Sequence, residues 1–272
     1  MPGGRGEFLT VHIADAPRAV TTPPSRFPEL LTERWNLAMD RAVGNAPRVA
    51  VLYSGGVDSS LVAVAARERA QVELVTVGVR DSADLRAAED GARLLELPWI
   101  HREVARSDID RTVGAETETL AGADPTSQAV LIGLALALEA TPSSHVLCGQ
   151  GADELFLGYA HFQGLSPEAT AARRTEDLRR LRTDDWPRSI TLARRRGRVL
   201  ASPFLDADFV EDALRLPVGL LREGSGRKPL LRTLAERAGV PLELVRRPKK
   251  AFQYGSGIER LLRTRSAAAA DP

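Results

Sequence analysis

The chain has 272 residues, 43% hydrophobic and 27% charged, with a formal net charge of +1. That length suits one large domain or two small ones, and the near-neutral balance supplies no global field toward nucleic acid or membrane. The single cysteine, Cys148, excludes an intramolecular disulfide and suits a reducing compartment; no apolar run approaches the ~20 residues of a bilayer span and no signal-peptide core opens the chain, so a cytoplasmic location is expected.

Residues 1–28 carry Pro17, Pro23, Pro24 and Pro28 among Gly and Thr, which predicts an irregular lead-in. The spacing of Leu30, Leu31, Trp35, Leu37 and Ala38 predicts a helix over Leu30–Val43. Apolar runs at Val49–Tyr53, Val72–Val79 and Ile100–Val104 read as buried strands, with helical segments between them at about Asp58–Arg69 and Asp84–Leu95. This alternation predicts an α/β fold, a parallel sheet with helices on both faces. A fourth strand is expected at His145–Cys148, after the long apolar helix Gln128–Ala140. Beyond Tyr159 the pattern turns helical. Ala171–Leu200 holds ten arginines against Glu176, Asp177, Asp184 and Asp185, and reads first as a solvated, partly ion-paired helix pair. Helices are expected at Leu205–Leu216, Pro229–Ala238 and Leu242–Arg246. The expected division is a lead-in at 1–28, one domain at 29–262 that is helical from about 160, and a frayed tail at 263–272.

The turn after the first strand reads Ser54-Gly55-Gly56-Val57-Asp58-Ser59-Ser60. A glycine turn that opens a helix aims N–H groups and hydroxyls at one spot, where the helix terminus favours an anion. A carboxylate beside that spot suits Mg²⁺, which takes oxygen ligands in the company of phosphates. The Gly-Lys-Ser/Thr of a Walker A loop is missing. Lysine usage adds a second clue. Of 37 basic residues only Lys228, Lys249 and Lys250 are lysine. Codon preference accounts for the arginines but not for where the few lysines remain, and an ammonium is not interchangeable with a guanidinium at a phosphate.

Three further segments follow in order. Gly149-Gln150-Gly151-Ala152-Asp153-Glu154-Leu155-Phe156 comes after a predicted strand, Ser202-Pro203-Phe204-Leu205-Asp206 opens a helix, and Arg247-Pro248-Lys249-Lys250-Ala251-Phe252 follows Arg227-Lys228-Pro229-Leu230-Leu231-Arg232. With the glycine turn, which resembles the PP-loop of the ATP pyrophosphatases, they resemble the synthetase domain of asparagine synthetase. The same domain occurs in β-lactam synthetase, carbapenam synthetase and lasso-peptide cyclases. The resemblance spans roughly residues 30–260. It implies a Rossmann-like parallel sheet of about five strands, the adenine nucleotide alpha hydrolase type, with a helical portion over the site.

The resemblance also implies roles. Ser54, Gly55, Gly56, Asp58, Ser59 and Ser60 would hold the β- and γ-phosphates of ATP, and Asp58 and Asp153 would bind Mg²⁺. Backbone at Leu52, Val77, Cys148 and Gly149 would line the adenine. Lys249 would meet phosphate and the charge that develops during reaction, where a fixed cation is a large catalytic term, and Lys228 would lie near the nucleotide. The plainer readings are a helix N-terminal charge for Asp153, a small buried hydrophobe for Cys148, and solvated cations for Lys249 and Lys250. Asp124-Pro125-Thr126-Ser127 matches a substrate-pocket segment of the family and reads equally as a helix N-cap. The histidines at 12, 101, 145 and 161 have no metal-ligand spacing.

The chain also departs from the pattern. Asparagine synthetases carry a glutaminase domain that begins with Cys after Met1; here Pro2 follows Met1 and about 45 residues precede the PP-loop. Free ammonia, an amine on the substrate or a separate glutaminase subunit is therefore the expected nitrogen source. Gln150 stands where Glu or Tyr is usual, and Val199 and Ala201 replace the expected Glu and Arg. A Gln cannot act as a general base, so the second step needs another proton acceptor. The resemblance implies an AMP-forming carbon–nitrogen ligase that uses a small carboxylate, ATP and Mg²⁺ without a membrane. A homo-oligomer is expected, although no motif specifies it. The alternatives are a PP-loop enzyme that modifies tRNA or a nucleobase, with the Arg-rich segment on RNA, and a catalytically reduced nucleotide-binding protein.

Overall fold

Five parallel strands lie side by side in the order β3-β2-β1-β4-β5. They are β1 Arg48–Leu52, β2 Gln71–Gly78, β3 Trp99–Glu103, β4 His145–Leu147 and β5 Val199–Ala201. The computed structural model describes residues 26–224, 227–247 and 255–268. Residues 1–25 of the predicted lead-in at 1–28, together with Lys249 and Lys250, therefore lie outside the described residues. In register, Val51 of β1 sits beside Leu74 of β2 and Leu147 of β4.

The inner strands are apolar on both faces, as a sheet covered on both sides requires. On one face Val49, Val51, Val72 and Leu74 pack beneath α1 (Phe27–Val43), α2 (Val57–Arg67) and α3 (Ala83–Leu95). On the other, Ala50, Val75, Val77 and Val146 join Ile109 of α4 (Arg106–Ala115). A short helix α5 (Thr117–Leu120) leads to α6 (Pro125–Ala140), whose residues Leu131–Leu138 are all buried in the same layer. The alternation of neighbouring residues between two cores follows from the two-residue period of a strand.

Past β4 the chain is mostly helical: α7 (Ala152–Leu155), α8 (Pro167–Arg180), α9 (Trp186–Arg195), α10 (Ala207–Leu214), α11 (Val218–Arg222), α12 (Pro229–Arg237), α13 (Leu242–Arg246) and α14 (Ile258–Ala268). Helices α8 and α9 are joined by a wider π-type turn at Leu181–Asp185. They form the ion-paired helical segment expected from the sequence: Arg173–Asp177, Arg179–Glu176 and Arg188–Asp184 all pair within it. Helix α14, begun at Ile258, continues into residues 263–268 of the expected tail. Helix α1 begins at Phe27, with Pro28 in its first turn where a missing N–H costs nothing.

The Ser202–Asp206 segment is scaffold. Phe204 packs against Trp35 of α1 with ring centroids 4.8 Å apart. The Asp206 carboxylate accepts from Phe209 N at 3.1 Å to cap α10 and pairs with Arg41 at 2.6 Å. Among the described residues, no helix is long and apolar enough to cross a membrane.

Candidate nucleotide and metal site

The strand order reverses around β1, which has β2 on one side and β4 on the other. A doubly wound sheet opens a crevice at the carboxyl ends of its strands at such a point. The two glycine-rich turns leave the sheet there, one after β1 and one after β4.

The first turn is held from three directions. Gly55 has φ +72°, and a Cβ on it would lie 2.3 Å from the Ala87 carbonyl oxygen and 2.8 Å from the Arg247 guanidinium. Only glycine meets both demands. Arg247 Nη1 donates to the Gly55 carbonyl at 3.2 Å and to the Ala87 carbonyl at 2.5 Å, tying α3 and the end of α13 to the loop. Ser54 N donates to Ser59 Oγ at 3.3 Å, which closes the turn across the start of α2. Gly56 precedes α2 with no side-chain cap on the first turn, so that turn retains donors for an anion. Ser60 faces inward instead: fully buried, its hydroxyl meets Tyr53 Oη at 3.1 Å. Burial pushes the Tyr53 hydroxyl up to about 12.

Asp58, in the first turn of α2, and Asp153, in α7, meet across the two loops. Gly149 makes the approach close, since a Cβ there would lie 3.3 Å from Asp58 Cβ. Between the carboxylates lies the ammonium of Lys228, 2.6 Å from Asp58 Oδ2 and ion-paired with Asp153 Oδ1. Lys228 is 3% exposed. Burial pulls its ammonium below the usual lysine range against the opposing pull of Asp58. Gly158 presses on the same group, because a Cβ there would fall 1.8 Å from Asp153 Oδ1 and 2.2 Å from Lys228 Cε. Asp153 does not cap α7, whose N-cap is Gly151 without a side-chain cap bond.

A cleft of ≈ 750 Å³ opens from this point. Leu52, Val77, Leu131, Leu134 and Cys148 give it an apolar wall, while Ser54, Asp58, Ser59, Gly149 and Asp153 form its polar end. Cys148 is buried and its thiol is pushed up to about 12 by burial. That state suits packing and not nucleophilic attack. The residues that line the cleft thus include Leu52, Ser54, Asp58, Ser59, Val77, Cys148, Gly149 and Asp153, gathered from the loops and strand ends after β1, β2 and β4. Gly55, Gly56 and Ser60 shape the turn without lining it. Lys228 reaches it only through its two carboxylate partners.

The rest of the cleft lining includes residues with no expected role, Tyr159, His161, Arg173 and Asp177 among them. Tyr159 Oη donates to Glu154 Oε1 at 2.7 Å in a buried pair. Burial raises Glu154, and burial together with the Glu154 charge drives Tyr159 well above its usual value. At the far end, His161 and Arg173 both hold Asp177 at 2.7 and 2.8 Å. Asp124 accepts from Thr126 N and Ser127 N at 2.9 and 3.0 Å and pairs with Arg180. Asp124 caps α6, the plainer of its two readings, and it also lines the cleft. Gln150 lines the cleft, whereas Val199 is 54% exposed on the outer strand and does not.

The pair Asp58 and Asp153 offers hard oxygen donors already gathered around one cation. Among the described residues there is no cluster of three or more His, Cys, Asp or Glu able to hold a metal alone. Two carboxylates suit Mg²⁺ that brings phosphate ligands with it.

The asparagine synthase family profile matches residues 31–201 and 169–271. A putative glutamine-hydrolyzing asparagine synthetase of Methanocaldococcus jannaschii is 30% identical over 271 residues, covering 82% of this chain and 50% of that protein. The glutamine-hydrolyzing asparagine synthetase of Pongo abelii is 32% identical over 240 residues, covering 81% and 42%. The chain thus spans about half the length of the curated relatives it matches. A solved NMN synthetase from Francisella tularensis aligns with TM-score 0.44 at 12% identity over 89% of this chain and 87% of that one, too loosely to bear on function. On the profile match and the relatives together, this chain belongs to the asparagine synthase family.

Proposed function

We propose that the cleft binds ATP with Mg²⁺, adenylates a substrate carboxylate and passes the acyl group to ammonia or an amine. The observation that carries this reading is the meeting of Asp58 and Asp153 at the β1/β4 crevice, beside the Ser54–Ser60 turn and an apolar wall. In the first step a carboxylate oxygen attacks the α-phosphorus, the bond to the β-phosphate bridge breaks, and pyrophosphate leaves. In the second a nitrogen lone pair attacks the acyl carbon, AMP leaves, and one proton passes to an acceptor.

This chain's residues would act by position and charge. Ser54, Ser59 and the first-turn N–H groups of α2 would grip the departing phosphates, with Gly55 and Gly56 setting the turn. Leu52, Val77, Cys148 and Gly149 would flank the base. Asp58 and Asp153 would hold Mg²⁺, which supplies charge neutralisation on the triphosphate when bound. Lys249 is assigned to the developing charge by its motif, and Lys228 to the carboxylate pair it contacts. The relatives are named as glutamine-hydrolyzing, so ammonia, whether free or from a glutaminase, is the first nitrogen source to test. The pairing of Arg173, Arg179, Arg180, Arg188, Arg195 and Arg196 with carboxylates weakens an RNA-tracking role.

The test is pyrophosphate release from ATP and Mg²⁺ across a panel of carboxylates, with and without ammonium, beside Asp58→Ala. Release with one carboxylate, with matching AMP and loss in the variant, is expected. Nucleotide binding with no release for any carboxylate would sink the ligase reading.

A further inference from the structure

Lys228 raises a question that the metal reading does not answer: its ammonium already occupies the space between the two carboxylates. It lies 2.6 Å from Asp58 Oδ2 and also pairs with Asp153, and its side chain is 2% exposed. We infer that Lys228 makes this site take a divalent cation only together with a polyphosphate, and exclude the free cation. The inference rests on the reading of Asp58 and Asp153 as metal and phosphate ligands.

Two carboxylates and one ammonium leave a net charge of −1 where the acids alone would present −2. A free dication entering beside the ammonium meets like charge at close range, where burial weakens screening, and must also shed part of a tightly held hydration shell. Nor is there slack for the lysine to step aside. Gly158 packs so closely that a single added carbon would sit 2.2 Å from Lys228 Cε. The backbone of Lys228 is itself left-handed at φ +57°, a conformation that persists in a non-glycine residue only where its surroundings enforce it.

A polyphosphate changes both terms. It brings several negative charges and its own oxygen ligands for the cation, so the dication arrives largely neutralised. It also gives the ammonium new oxygen partners, so lysine and cation need no longer compete for the same carboxylates. Cation and polyphosphate then bind with positive coupling, each raising the affinity for the other by the same factor.

The measurement uses the full chain and needs no turnover. Thermal denaturation and calorimetric titration would be run with Mg²⁺ alone, pyrophosphate alone, and both, for the wild type and Lys228→Met. For the wild type, Mg²⁺ alone at millimolar levels is expected to leave the midpoint unmoved, with apparent Mg²⁺ affinity rising at least about tenfold when pyrophosphate is present. In Lys228→Met the exposed pair of acids should take Mg²⁺ unaided, so Mg²⁺ alone raises the midpoint and the coupling falls toward unity. If the Met variant does not fold, Lys228→Gln, which removes the charge but keeps a polar group between the two acids, replaces it with the same expectation. Wild-type protein that takes Mg²⁺ equally well with and without pyrophosphate overturns the inference, as does a Met variant with unchanged coupling or no binding of the pair by wild type. Intact coupling without pyrophosphate release from any carboxylate would sink the ligase reading alone.

Discussion

Gly158→Ala adds one carbon at the point where the two loops and Lys228 meet, and its effect can be worked out from distances. The new Cβ would stand 1.8 Å from Asp153 Oδ1 and 2.2 Å from Lys228 Cε, where ordinary contact begins at 3.4 Å. Relief therefore needs Asp153 to retreat by about 1.6 Å (3.4 − 1.8) or the backbone to move. The backbone is tethered, since Gly158 N donates to the Asp153 carbonyl at 2.8 Å. Overpacking of this kind costs ~1–3 kcal/mol, which for a chain of this size lowers the midpoint by about 2–4 °C per kcal/mol. A ligand misplaced by ~1 Å loses on the order of 10²-fold in rate. The assay is pyrophosphate release beside thermal denaturation, with Gly164→Ala as a control because a Cβ there meets nothing within 4 Å, although its φ of +78° adds strain of its own. Full activity with an unmoved midpoint in Gly158→Ala would refute the reasoning, because it would show that neither Asp153 nor Lys228 needs its present place.

Asp58→Asn keeps the shape of the side chain and removes its charge, so pyrophosphate release should fall by ~10²-fold or more while far-ultraviolet dichroism is unchanged; equal activity would remove Asp58 from the site. Cys148, buried and with its thiol pushed up to about 12, should resist iodoacetamide near neutral pH in the native protein and react fully in denaturant. Labelling of the native protein would contradict its burial. Tyr53 ties stability to alkaline pH. Its hydroxyl, ordinarily at 10.0, is raised to about 12 by burial, so the unfolded chain ionises first. Its contribution is intact below about pH 10 and is lost as pH rises toward 12, by ~3 kcal/mol at most. Tyr53→Phe should flatten that part of the stability–pH curve, and an unchanged curve would mean that Tyr53 is not the responsible group.

Much of the sheet could be read from the sequence because β1 and β2 are apolar runs beside turn residues, and the ends of β1, β2 and β3 fall within a residue or so of expectation. Strand β5 could not. It is three residues long, follows Arg198, and exposes Val199 at the sheet edge, so neither length nor period marks it. The same asymmetry applies to the site. Glycine turns are local, and Gly55 declares itself by a backbone conformation that only its residue type adopts freely. The contact between Lys228 and Asp58 spans 170 residues, and no spacing encodes it. The scarcity of lysine among the basic residues and the family resemblance were the available signals, and both marked residues rather than partners. Arg247 had no signal beyond its place at the head of the last motif. Its role depends on two carbonyls, at Gly55 and Ala87, that become neighbours only in the folded chain. Glu154 and Tyr159 stood in plain view, but a carboxyl–phenol pair is recognisable only once burial shows that neither meets solvent freely.

Asp124 combines two jobs that one comparison separates. Its carboxylate caps α6 through Thr126 N and Ser127 N, and it also pairs with Arg180 at the far end of the cleft. Burial works against its charge, but the Ser127 N–H and the Arg180 guanidinium outweigh it and hold the group below its usual range. Its contribution to stability is therefore present above the ordinary carboxylate pKa and fades as pH falls through the lowered folded value. Asp124→Asn keeps a capping oxygen and drops the charge. Asp124→Ala drops both and should cost ~0.5–2 kcal/mol more than Asn if capping dominates. Both variants remove the ion-pair partner of Arg180, leaving only the charge of nearby Asp185, and should lower the KM of a dicarboxylate substrate relative to a monocarboxylate. Denaturation midpoints read the first effect and KM values read the second. If Asn and Ala destabilise equally, the cap is not what Asp124 contributes. If neither changes substrate preference, the Arg180 end of the cleft does not meet the substrate, and the reacting carboxylate must be recognised nearer to Gln150 and the Glu154–Tyr159 pair.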